Sequence, residues 1–340
     1  MPQVVCENID RLITVEMRRK GIPRGIIGAL YNAAREKKGN LPLTYLAATE
    51  LMKAVNKSKP IIISTGFKYG NFVPYGETDG PPGAAALARS LRICFGIPIF
   101  IITEEELIDG MSKVVEAVGL NPARNAMRLT GISDVGIVGF PTDGGLGKEK
   151  AKEFISKIDP CAIITTEKIG VGEKGVYHSA LGTDISKEQA KVDFIIHEAR
   201  MKNILTIGIG DVGNEIGFGL ILDIAKKIVP LGSDCKCPCH SGIITVTATD
   251  ILIPCAVSNW GAYGISAALA ILNNNIELLH QPRDERRMVM ECLRSGAIDG
   301  GTGRPTLGVD GIDLTIHEHM VEMLRELVKI GLEEEFARGF

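Results

Sequence analysis

The chain has 340 residues, 45% of them hydrophobic and 23% charged, an ordinary globular composition with length enough for one large or two ordinary domains. Lysine and arginine number 38 against 41 acids, a net charge of −3. That balance excludes the basic footprint of a nucleic-acid binder and the polybasic patch of a membrane-surface protein, and it leaves a small molecule as the expected partner, with a homo-oligomer left open.

The first twenty residues carry Glu7, Asp10, Arg11 and Glu16 and lack the apolar centre of a signal peptide. Residues 1–57 read mainly as helices. From there, apolar runs rich in β-branched residues alternate with helically spaced segments. Strands are expected at 61–65, 98–102, 135–139, 162–165, 194–196, 204–209, 243–248 and 251–253, and helices at 82–95, 104–118, 148–158 and 216–228. The alternation predicts an α/β fold with a mostly parallel sheet flanked by helices and a helical N-terminal segment. The expected organisation is a single catalytic unit: helical segment 1–57, α/β core 58–313, terminal helix 314–340. The longest apolar run, 243–257, is broken by Asp250 and Pro254, so no membrane span is expected. Eight scattered cysteines suit a reducing, cytoplasmic compartment better than a disulfide scaffold.

Glycine-rich loops after the expected strands carry the chemistry. In Gly76-Glu77-Thr78-Asp79-Gly80-Pro81-Pro82-Gly83, Asp79 suits a helix cap, but Glu77 has no such explanation. Two acids in a loop stiffened by proline suit a hard divalent cation. Gly208-Ile209-Gly210-Asp211-Val212-Gly213 contains the G-x-G-x-x-G spacing of dinucleotide sites. Asp211 would repel a pyrophosphate there, and Asp234, at the distance of the usual ribose-binding acid, lies in a Gly-Ser-Asp-Cys loop. If a helix begins near Asp211, Asp211 and Glu215 share a face and form a second metal edge; a capped turn is the plainer alternative.

Glu167 and Lys168 follow a strand and precede the loop that reaches His178 and Asp184. Ser258-Asn259-Trp260-Gly261 holds the chain's one tryptophan, which either walls a polar pocket or is core. Arg304, in Asp299-Gly300-Gly301-Thr302-Gly303-Arg304, either clamps a substrate carboxylate or sits on a surface turn. Cys235-Lys236-Cys237-Pro238-Cys239-His240 is spaced too tightly for the usual zinc knuckle, so its sulfurs are expected to be incidental and dispensable for catalysis. Residues 144–149 lack the first glycine and the hydroxyl of a phosphate loop, and His317-Glu318-His319 lacks the spacing of zinc proteases.

The loops just described, together with Thr65-Gly66-Phe67, Gly182-Thr183-Asp184-Ile185-Ser186 and Val257-Ser258-Asn259-Trp260-Gly261-Ala262-Tyr263, appear in the order found in the D-glutamate cyclase C-terminal domain family, which this chain resembles over residues 65–304. The resemblance implies conversion of D-glutamate to 5-oxo-D-proline and water with a divalent metal, manganese first and magnesium or calcium as alternatives. Manganese-dependent phosphatase activity is the rival enzymatic reading, and a nucleotide- or metal-binding module the non-enzymatic one. The chain departs from the family pattern at Lys168, where arginine is usual, and at Val212, where glycine is usual. On this basis Glu77, Asp79, Asp211 and Glu215 are the expected metal ligands. Glu167 or Asp184 would move a proton, and Lys168 or Arg304 would hold the substrate's α-carboxylate. Asn214, Asn259 and Trp260 would line the substrate site.

Overall fold

The computed structural model describes residues 2–18, 23–55, 59–123 and 129–333. In it the apolar runs assemble into one sheet of seven strands: β1 (Ile61–Ser64), β2 (Ile99–Thr103), β3 (Asn121–Pro122), β4 (Asp134–Gly139), β5 (Ala162–Thr166), β6 (Leu205–Gly210) and β7 (Ile251–Pro254). Their spatial order is β3-β4-β2-β1-β5-β6-β7, and every neighbouring pair is parallel. Ile61, Ile63, Ile99, Ile101 and Ile164 enter one core, while Ile62, Phe100, Ile102 and Ile163 enter the other. Both faces of the sheet are therefore dry, which is why these strands read as unbroken hydrophobic runs rather than alternating ones.

The helices are α1 (Pro2–Ile13), α2 (Ile27–Glu36), α3 (Leu43–Ala54), α4 (Pro81–Phe95), α5 (Ile108–Ala117), α6 (Gly144–Ile158), α7 (Asp193–Met201), α8 (Leu222–Ile228), α9 (Ser258–Leu272), α10 (Pro282–Arg294) and α11 (Leu314–Leu332). Helices α6 and α7 cover one face through Ala151, Ile155, Ile195, Ile196 and Ala199. The opposite core is centred on α9, buried from Ser258 to Ile271 and apolar all round, as a helix enclosed by other helices must be. A hairpin of β8 (Gly308–Val309) and β9 (Ile312–Asp313) leads into α11. No helix among the described residues is long and apolar enough to cross a membrane.

Three expected elements are corrected. Residues 194–196 lie in α7, not in a strand; a short apolar run looks the same in either state, and Ile195, Ile196 and Ala199 form a helical stripe. Residues 243–248 make isolated bridges from Thr245 to Gly172 and from Ala248 to Gly217, and no strand. Their alternating threonines bond sideways, Thr245 Oγ1 to the Val171 carbonyl at 2.9 Å and Thr247 Oγ1 to Asp193. The helix expected at 216–228 is shortened to a 3₁₀ turn, Gly219–Ile221, followed by α8. Residues 56–57 and 334–340 of the expected helical ends lie outside the described residues.

From β1 the chain moves through β2 to β4 on one side. It then returns to β5 on the other side of β1 and continues outward through β6 and β7. The direction of winding thus reverses between β1 and β5, and at such a point the loops after the two strands part and leave a crevice. Helices α4 and α9 meet beneath it so closely that a Cβ at Gly83 would lie 2.8 Å from Asn259 Oδ1 and 2.9 Å from its Cα. Gly83→Ala should therefore lower the unfolding free energy by about 1–3 kcal/mol, read from the denaturant midpoint. An unchanged midpoint would mean that the two helices separate freely.

Candidate active site

The acids gather at the carboxyl edge of the sheet. Glu77 and Asp79 lie between β1 and α4, Glu167 follows β5 and Asp211 follows β6. One carboxylate oxygen from each of Asp79, Glu167 and Asp211 lies within 4.8 Å of the others. Glu77 and Asp310 adjoin them, and Glu77, Glu167, Asp211 and Asp310 line a cavity of about 710 Å³ that also takes in Phe67, Ile169, Asn214 and Lys236. Such a volume is ordinary for a small-molecule site.

Each loop is held by a specific carboxylate or amide. Asp79 accepts from the Ser258 amide at 2.9 Å and the Asn259 amide at 2.8 Å, and so caps α9. Asn259 Oδ1 in return accepts from the amides of Gly80 at 3.0 Å and Gly83 at 2.7 Å, capping α4. The two helix N-termini thus exchange caps across the crevice, and their partial positive charge stands against the acids. Glu167 adopts a φ of +46°, sparsely populated by residues with a side chain, and accepts from Ser258 Oγ at 2.6 Å. Asp211 is ion-paired with Arg18, whose side chain is fully buried and whose Nε also donates to the Ala256 carbonyl at 3.0 Å.

Several expected roles are revised by this geometry. No helix begins at Asp211. Glu215 folds back instead and accepts from the amides of Asp211, Val212 and Gly213 at 2.7–3.0 Å, so it shapes the loop that presents Asp211 rather than extending a ligand face. Lys168 is wholly buried in an ion pair with Glu104 and donates to the Gly66 carbonyl at 2.9 Å, which removes it from the role of substrate clamp. Asp184 is exposed, accepts from the Ser186 amide and hydroxyl, and is outside the acid cluster. Arg304 is exposed and does not line the cavity, although its neighbours Gly300, Gly301, Thr302 and Gly303 do. Asn259 is a cap, as above. Trp260 is core: it is fully buried, with Nε1 donating to His317 Nδ1 at 2.9 Å. Asn214 does line the cavity, its Nδ2 donating to the His178 carbonyl at 2.8 Å.

The structure adds Arg18, Glu104, Lys236 and Asp310 to the residues that build or support the site, none of them marked by the sequence motifs above. Arg18 sits in a segment with no motif. Asp310 had a legible signal: Val309-Asp310-Gly311-Ile312 is an Asp-Gly hairpin turn, here with φ of +53° and +73° at its centre. Gly300 comes so close that a Cβ there would meet the Glu77 carboxylate at 2.0 Å, so a side chain at this position would push the Glu77 carboxylate aside.

Burial and mutual repulsion raise the proton affinity of this cluster. Glu77 is pushed well above the usual carboxylate range by burial and then by Asp310, Asp79 and Asp299. Glu167 is raised by burial and then by Glu215 and Asp79. Asp79 is raised by burial and Asp310 against the pull of its amide donors, and Asp211 by burial against the pull of Arg18. Asp310 is raised in the same direction, by burial first. An all-oxygen donor set with surplus negative charge matches a hard divalent cation.

Known proteins carry related sequences. Residues 32–325 match the family described as D-glutamate cyclase-like, C-terminal. The mitochondrial D-glutamate cyclase of Homo sapiens is 29% identical over 318 residues, covering 84% of this chain and 48% of the human protein. The chain therefore spans about half the length of that relative.

Removing Arg18 should leave Asp211 buried without its cation. Arg18→Met is expected to cost about 3–5 kcal/mol of stability at neutral pH, with the loss shrinking in acid or in saturating manganese. A loss that was the same at all pH values would point to packing alone. In ion-free protein the folded state holds protons on the acid cluster that the unfolded chain has released. Stability should be full below the ordinary carboxylate range, about pH 4, and should fall as pH rises from there through the raised values toward neutrality. Thermal unfolding across that range checks the sign. A divalent ion at 100 times its Kd should restore about 2.7 kcal/mol.

Proposed function

Because the chain belongs to the D-glutamate cyclase-like C-terminal family, we propose that its carboxylate cavity converts D-glutamate to 5-oxo-D-proline and water with a divalent cation, manganese in the first instance. The observation that carries this reading is the excess of acids over cations in the cavity. Glu77, Glu167, Asp211 and Asp310 line it, and Lys236 is the one cation among the described lining residues. A substrate bearing an ammonium group is welcome there. A phosphate ester with no cationic group would rely on the metal alone, and this favours the amino acid over the phosphatase reading.

Asp79, Glu167 and Asp211 would hold the metal, which when bound polarises the γ-carboxyl group as a Lewis acid. Glu77 has no side-chain hydrogen bond among the described residues, lines the cavity and has raised proton affinity. It takes the first proton from the substrate's α-ammonium and delivers it to the departing oxygen. The nitrogen then bonds to the γ-carbon, the carbon–oxygen bond breaks, and both protons lost by nitrogen leave on that oxygen as water. Lys236, at the exposed rim, takes over the role expected of Lys168 and Arg304 and holds the α-carboxylate. Asn214, its Nδ2 fixed on His178, offers Oδ1 to the ammonium. Phe67 and Ile169 exclude water from the folded-back chain of the substrate.

The test is metal-supplemented turnover of D-glutamate followed by chiral chromatography. Activity should vanish with chelator and return with manganese more readily than with calcium, which prefers more ligands and looser geometry. Glu77→Gln should lower kcat by about 10²–10⁴-fold while manganese still binds, whereas Lys236→Ala should raise KM with kcat little changed. Full activity in metal-free protein, or phosphate release from a generic ester in place of 5-oxoproline formation, would sink this reading.

A further inference from the structure

Away from the acids, the chain gathers a second set of donors of opposite chemical character. Cys235, Cys237 and Cys239 alternate along a turn, and His178, from the loop after β5, meets them. Cys237 and Cys239 Sγ are 3.1 Å apart, Cys235 and Cys239 3.3 Å, and Cys235 and Cys237 3.5 Å. His178 Nε2 lies 3.2 Å from Cys239 Sγ and 3.4 Å from Cys237 Sγ, and all four donor atoms fall within 4.8 Å of one another. We infer that His178, Cys235, Cys237 and Cys239 form a structural zinc site that pins the wall of the carboxylate cavity.

The geometry is that of a closed tetrahedron. With zinc–sulfur bonds of about 2.3 Å, the sulfurs of a tetrahedral site stand about 3.8 Å apart. The observed edges of 3.1, 3.3 and 3.5 Å need to open by about 0.3–0.7 Å. Three thiolates and one imidazole are a complete ligand set for a structural zinc and leave no open position for substrate. Thiolate donors select a soft or borderline ion, which separates this site from the oxygen-only cluster. His178 Nδ1 is buried without a hydrogen-bond partner, so the ring makes its polar contacts through Nε2, the atom that faces the sulfurs. Binding exchanges thiol protons for zinc: each cysteine that enters as a thiol releases one proton to solvent, and nothing is oxidised.

A second observation gives the site its purpose. Residues 229–250 contain no helix or strand, yet they build part of the cavity through Leu231 and Lys236, and the neighbours of His178, Ser179 to Leu181, build more. A loop that long, without structure of its own, needs another source of order. It is tied to the His178 loop by the Lys236 amide, which donates to the Gly182 carbonyl at 3.0 Å. Lys174 Nζ likewise donates to the Cys239 carbonyl at 2.7 Å. The His178 carbonyl in turn receives Asn214 from the loop of Asp211. Zinc would lock these loops together and, through Asn214, fix the approach to the acids. Spacing within 235–240 alone does not reveal the site, because the fourth donor, His178, lies 57 positions before Cys235, in a different loop.

The site stands independently of the proposed reaction and is tested without it. The full chain, purified under reducing conditions, should carry one zinc per chain by elemental analysis. X-ray absorption at the zinc edge should show three sulfurs and one nitrogen. Cobalt replacement should give the thiolate charge-transfer band of a tetrahedral site. The double variant Cys237→Ser, Cys239→Ser should lose that zinc. To separate loss of zinc from loss of fold, hydrogen exchange of the wild-type chain before and after zinc stripping is the second measurement, with protection at Lys236 expected to fall while β1 and β5 stay protected. A folded, zinc-free protein with three titratable thiols would overturn the site. So would a disulfide among the three cysteines, zinc with oxygen ligands only, or zinc retained by the double variant.

Discussion

Burying five carboxylates around one cavity at the end of a parallel sheet, three of them with oxygens within 4.8 Å of one another, is the constraint to which much of the surrounding structure answers. Arg18 pairs with one of them, and the N-termini of α4 and α9 face the crevice. Neither is enough to neutralise the group, so each acid is driven toward its protonated form by desolvation and repulsion. Charge so poorly compensated is costly, and its persistence points to function rather than to stability. A divalent cation and a substrate ammonium are the two kinds of charge that would settle it.

The acids divide into those that build loops and those left over for chemistry. Glu215 takes three amides of its own turn, and Asp299 takes the amides of Gly301 and Gly311 and the Thr306 hydroxyl. These carboxylates are consumed in shaping the loops that carry Asp211 and Asp310. Asp79 does both, capping α9 while its oxygen reaches the cluster. Lys168 belongs to the supporting group: its pairing with Glu104, which also accepts the Ala190 amide at 2.9 Å, anchors the backbone next to the strained Glu167. Losing either partner of that wholly buried pair would leave the other charge bare.

Hard and soft donors thus stand side by side without mixing. Oxygen donors sit where the sheet ends and helix N-termini converge. Sulfur donors sit in a long loop that lacks secondary structure. The carbonyl of His178, bonded to Asn214, is the link between them. A rigid scaffold beneath, and a loop above tied to the Asp211 loop through the Asn214–His178 contact, are the conditions that would hold a small flexible substrate in a reactive fold.

The sequence by itself determined the α/β architecture, because a sheet covered on both faces writes its strands as runs such as 61–64 and 99–103, and helices between them keep their own period. It also marked the loops that hold Glu77, Asp79, Glu167 and Asp211, since glycine and proline punctuate the turns after strands. Tertiary structure alone decided which acids converge and which fold back, because Asp211 and Glu215 differ only in where their oxygens find partners. It decided that Lys168 and Trp260 are buried rather than facing a ligand, a matter of neighbours distant in the chain. It brought Arg18 and Asp310 to the same carboxylates from opposite ends of the sequence, and His178 to three cysteines nearly sixty residues away. Local pattern records backbone preference and burial period; a site assembled from separate loops depends on contacts of long range, and those exist only once the sheet has fixed where each loop begins.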